Sequence, residues 1–131
     1  MKKEKLEEIR NNMLIEVYSW GGLGITPGSS STIITNDKKI YFYSREFILK
    51  NNENKEELSG GNELSDESFN LIKTYIEENY INKNFETINV RDSGCTVRGP
   101  GFCIVNHFDE YRKIKELINT IINNDKLNNN M

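Results

Sequence analysis

Long apolar runs are missing from this chain. None approaches the roughly 20 residues that cross a bilayer as a helix. The amino terminus, MKKEKLEEIR, places glutamates where a secretory signal would carry its apolar stretch. A surplus of positive charge is missing too, since 17 basic residues face 20 acidic ones for a net charge of −3. That balance argues against nonspecific nucleic-acid binding, which needs cations in excess against phosphate. Histidine occurs once and cysteine twice, in no Cys-x-x-Cys spacing. Three such ligands fall short of the four a structural zinc site takes. No catalytic constellation stands out, and neither a metal nor a cofactor is expected. What these absences leave is a reduced, cytoplasmic chain of single-domain size. At 131 residues it can bury about two-thirds of its unfolded surface without disulfide or metal. Its richness in Asn, Ile and Lys points to an AT-rich genome more than to an activity.

What is present centres on Thr87 to His107, TINVRDSGCTVRGPGFCIVNH. This stretch gathers both cysteines, the histidine and two of the five arginines. It predicts a strand over Phe85–Val90, a turn at Asp92-Ser93-Gly94, and a hairpin of Cys95–Val97 with Phe102–Asn106 around Gly-Pro-Gly. Upstream, residues 1–12 read as a short charged helix that docks through Leu6 and Ile9 or frays. Met13–Trp20 is rich in β-branched and aromatic residues and reads as the first strand. GGLGITPGSSS, residues 21–31, is a long Gly/Ser loop and the first place to look for a ligand.

Residues 31–36 and 39–45 make two strands about Asn36-Asp37-Lys38, a tight hairpin turn. Lys50–Leu64 is polar, holds Gly60-Gly61, shows no period and reads as a loop. From Lys50 to Glu67 six carboxylates oppose two lysines, so this edge is acidic. Ser65 suits an N-cap, Asp66 and Glu67 complement the helix dipole, and Leu64 can staple onto Phe69. A helix over 66–80 follows, and a second over Phe108–Ile122. Residues 123–131 have nothing to bury and read as a disordered Asn-rich tail. The expected architecture is one α+β domain over residues 1–122. It comprises a single antiparallel sheet of five to six strands, two long helices packed on one face, and the short N-terminal helix.

Each candidate site has a plain alternative. Cys95 and Cys103 could face each other across the hairpin, or join His107 in a thiol-dependent enzyme; the default is two reduced, mostly buried thiols and a capping histidine. The loop glycines Gly22 and Gly24 do not match a P-loop or a dinucleotide fingerprint, which leaves a recognition loop beside Trp20. Tyr41, Phe42 and Tyr43 are consecutive, so Phe42 is expected inside and the two tyrosines on the open sheet face. Arg91 and Arg98 flank Asp92 and could clamp a carboxylate, or simply pair locally at the surface. Trp20, Gly22, Gly24, Tyr41, Tyr43, Arg91 and Arg98 are thus the candidate binding residues.

The opening strand with its Gly-Gly, Glu16 to Gly24 (EVYSWGGLG), resembles emfourin, a small bacterial protein inhibitor of thermolysin-like metalloproteases. So does the order that follows: a polar run into a long helix, a strand with an early Asp, and a closing helix. The likeness spans residues 14–122 in layout, and the N-terminal helix, the cysteines and the Gly-Pro-Gly corner depart from it. It implies an inhibitor and transfers no functional residue. The residues themselves also favour a binding protein: a small acidic inhibitor, immunity protein or phage-type antagonist that occludes a protein partner. Oligomeric state is not legible.

Overall fold

The computed structural model describes residues 2–21, 28–48, 52–85 and 93–129. Helix α1 (Lys2–Asn11) leads into β1 (Met13–Gly21), β2 (Gly28–Thr35), β3 (Lys39–Ile48) and β4 (Glu53–Glu63). Helix α2 (Asp66–Asn79), strands β5 (Ser93–Gly99) and β6 (Phe102–Val105), and helix α3 (Phe108–Asn129) complete the order. The fold is α+β, with one open sheet of six strands in the order β4-β3-β2-β1-β5-β6. Every neighbouring pair is antiparallel.

The buried apolar side chains form two clusters. The larger joins Ile15, Val17, Ile34, Ile40, Val97 and Ile104 to Phe69, Ile72 and Ile76 of α2 and Ile114, Ile118 and Ile121 of α3. The smaller joins Ile33, the neighbour of Ile34, to Leu6 and Ile9 of α1. The short charged helix therefore docks through its two apolar side chains. A register shift between Met13 and Ile15 marks a bulge in β1. It lets Leu14 and Ile15 both reach the larger cluster while Met13 joins the smaller.

Turn chemistry explains the hairpins. Lys38 takes φ 66° between β2 and β3, where the Thr35 hydroxyl hydrogen-bonds to the Asp37 carboxylate and the Lys38 N–H returns to Thr35 O at 3.0 Å. Pro100 followed by Gly101 at φ 85° has the residue order of a type II turn. Ser65 caps α2, its Oγ accepting from Ser68 N at 3.1 Å, and Leu64 and Phe69 share the larger cluster.

Four expectations change. The Gly/Ser loop read over residues 21–31 is shorter than expected, since Gly21 ends β1 and Gly28 to Ser31 belong to β2, paired with Gly21 to Tyr18. Residues 50–64 are not a loop, since β4 pairs with β3 from Lys39↔Glu63 to Ile48↔Glu53. Gly60 and Gly61 lie at a bulge opposite Ile40 and Tyr41, with φ 99° and 92°. A Cβ on Gly60 would sit 2.6 Å from Ile40 O, so what reads as loop punctuation is a glycine-only bulge. Ser93 and Gly94 belong to β5, paired with Gly21 and Trp20, and are not a turn. Helix α3 continues beyond Ile122 to Asn129. The strand expected over Phe85–Val90 falls largely outside the described residues, as does Asp92. Phe85 itself packs edge-on against Tyr80.

Candidate functional site

On the sheet face that meets α1, register lines up three rows of side chains. Glu16 lies between Ile33 and Arg98, Tyr18 between Ser31 and Thr96, and Trp20 between Ser29 and Gly94. Across β2, Tyr41, Tyr43 and Arg45 oppose Ile33, Ser31 and Ser29. Helix α1 covers one end of this face, where Tyr41 and Tyr43 pack against its cluster. Tyr18 and Trp20 stay half-exposed and Arg45 exposed.

Glu16 organises the face. It is 0% exposed, in a central strand. Arg10 Nε and Nη2 donate to its Oε2 at 3.2 and 2.9 Å. Arg98 Nε and Nη2 donate to Oε1 at 2.9 and 2.6 Å. Each carboxylate oxygen is thus held by a separate guanidinium. Burial alone would raise the carboxyl pKa, but the two arginines outweigh it and hold the group below its ordinary value. Ser31 Oγ, also buried, adds to the lowering without reaching hydrogen-bond geometry. Arg10 comes from the last turn of α1, where a cation suits the helix dipole, and lies 5.8 Å from the Tyr43 ring centroid. One carboxylate therefore ties α1 and β5 to β1.

Above it opens a cavity of about 380 Å³ lined by Arg10, Arg45 and Arg98, by Tyr18 and Tyr43, and by Ser29 and Thr96. A second hollow of about 620 Å³ shares Tyr18, Ser29 and Arg45 and extends the groove to Trp20 and Phe47. The Trp20 indole lies over Gly94, where a Cβ would come within 2.4 Å of its Nε1. Only glycine lets the ring settle there. Burial, and Glu56 nearby, push the Tyr43 phenol up.

Of the residues singled out from sequence, Trp20, Tyr41, Tyr43 and Arg98 share this face. Arg98 does clamp a carboxylate, but it is the chain's own buried Glu16, not a local surface partner. Gly22, Gly24 and Arg91 lie outside the described residues. Phe42 is not packed inside; it pairs with Thr32 on the other face and stays 38% exposed, outside the core cluster. Arg10, Glu16, Tyr18 and Arg45 were not read from sequence. The available signal was Glu16 itself, a charge inside the otherwise apolar LIEVY.

The cysteines do not face each other. Cys95 pairs with Ser19 and Cys103 with Arg98, which puts their side chains on opposite faces of the hairpin. Both are free, Cys95 buried and Cys103 exposed, and burial pushes the Cys95 thiol up, away from a nucleophile. His107 caps α3, its Nδ1 accepting from Glu110 N at 3.4 Å, with Phe85 edge-on at 5.4 Å. Among the described residues no three His, Cys, Asp or Glu side chains gather to hold a metal ion. No helix among them is long and apolar enough to cross a membrane.

Comparison with protein-family models, curated proteins and solved structures finds no match for this chain.

Proposed function

We propose that this chain is a cytoplasmic binding protein, not an enzyme, that inhibits or occludes a protein partner through the face bearing Tyr18, Trp20, Tyr43, Arg45 and Arg98. In this reading α2 and α3 both back the opposite face and make the sheet a rigid support. The observation that carries it is the composition of the face. Tyr, Trp and Arg are the residue types that dominate interface energetics, and here they are gathered around a groove in which Arg10 and Arg98 are held by buried Glu16. The arginines of the face and the carboxylates of neighbouring β4 give it two poles, and opposed charges fix how a partner seats. A thermolysin-like protease is one partner class that suits the emfourin-like layout.

The test is affinity capture with the tagged protein, comparing wild type, Tyr18→Ala, Trp20→Ala and a control, Leu71→Ala, on the exposed surface of α2. A protein retained by wild type and control but lost from both face variants, with their melting curves unchanged, supports the reading. Equal retention by all four, or none by wild type, contradicts it.

A further inference from the structure

The cavity above Glu16 holds more donors than that carboxylate uses. An arginine has five N–H donors in a fixed fork. Arg10 and Arg98 each commit Nε and Nη2 to Glu16, which leaves Nη1 of each, and both side chains line the cavity. Arg45 reaches the same space from β3, with Glu56 no nearer than a 4.0 Å ion pair. Three positive charges (Arg10, Arg45, Arg98) thus meet two negative ones (Glu16, Glu56), leaving one cation in excess on a chain whose net charge is −3. Tyr18, Ser29 and Thr96 add hydroxyls. A concave, partly desolvated cationic cluster focuses potential on its interior. Guanidinium forks match the paired oxygens of carboxylate and phosphate. Because Glu16 already holds two of the forks in place, a ligand need not order them.

We propose that this cavity is an oxyanion pocket that takes a carboxylate or phosphate group between Arg45 and the Arg10–Arg98 pair. The chemistry is the same whether the group arrives on a free small molecule or on a side chain of the protein partner; the second source rests on the binding reading above, the first does not.

The experiment is nitrogen-15 NMR of the whole chain, following the Arg Nε–Hε signals during titration with inorganic phosphate and, separately, with a short phosphoserine- and glutamate-containing peptide. Saturable shifts of Arg10, Arg45 and Arg98 are expected in at least one titration, with Kd of about 1 mM or tighter. Arg45→Gln should weaken that binding about tenfold. Arg112→Gln removes the same charge from exposed α3 and should leave it unchanged. Saturation by free phosphate identifies a small-molecule source, and saturation by the peptide alone a partner-borne group; both uphold the pocket. Linear shifts in both titrations, or binding indifferent to Arg45→Gln, overturn it. That failure is separable from failure of the binding reading, which rests on Trp20- and Tyr18-dependent capture.

Discussion

Glu16 shows how a charge survives inside a sheet. Moving a carboxylate out of water costs several kcal/mol even after relaxation, and here each oxygen is offset by a charge-assisted pair. Removing both arginines should therefore harm the fold more than neutralising the acid. Arg10→Ala/Arg98→Ala should lose about 3 kcal/mol in urea unfolding, the lower end for a broken buried pair because truncation admits water. Glu16→Gln, which leaves two guanidiniums with access to solvent, should lose less.

The pH dependence should also reverse. In wild type the folded pKa of Glu16 lies below its unfolded value, so this contribution is present above the ordinary carboxylate range and lost as pH falls through the folded pKa. Without the arginines, burial, the largest single cause, is opposed only by Ser31, and the folded pKa should rise above the unfolded one. Stability of the double variant relative to wild type should then recover as pH drops through the carboxylate range, and unfolding curves at several pH values check the sign. At the cysteines, opposite faces give unequal access. A thiol reagent should modify Cys103 in the native protein and Cys95 only after denaturation. Equal native reactivity would contradict the register of β5 and β6.

Among the elements, α3 does more than close the core. Asp125 accepts from Ser65 N at 3.1 Å, Ser65 Oγ at 3.0 Å and Ser68 Oγ at 2.7 Å, joining the far end of α3 to the start of α2. Burial works against its charge, but these bonds prevail and the pKa is lowered. Asp125→Ala, and equally a chain cut after Ile122, should lose about 1–2 kcal/mol in thermal melts at neutral pH. The deficit should narrow as pH falls through the lowered pKa of Asp125, since protonation removes the same bonds from wild type.

This contact was not legible in NNDKLNNNM, because an Asp on a polar tail shows no apolar period. Strand β4 was hidden for a related reason. It lies at the sheet edge with mostly exposed side chains, so its ladder with β3 leaves no alternation in the letters, and its charges suit an unpaired edge. Elements with a buried stripe or a clear cap were legible: β1 to β3, the β5–β6 hairpin, and α2 with Ser65 and Phe69. The candidate site was legible only in part. Trp20, Tyr43 and Arg98 carry their own signal, whereas the network joining Arg10, Glu16 and Arg98 depends on a register linking residues 82 apart in sequence.

At the scale of the molecule, the larger apolar cluster joins strand side chains to those of α2 and α3. The sheet face that bears Glu16 is covered by α1 at one end and keeps a groove of Arg, Tyr and Trp beside it. An acidic chain thereby presents a cationic hollow flanked by an acidic strand. This groove is the proposed working surface. Site-specific photo-crosslinking in the cells that make the protein tests it most directly, with the crosslinker placed at Thr96 in the groove or at Leu71 on α2. A discrete protein adduct from position 96, absent from position 71, is the expected result. Adducts from position 71 alone would place the working surface on the helices and contradict the account.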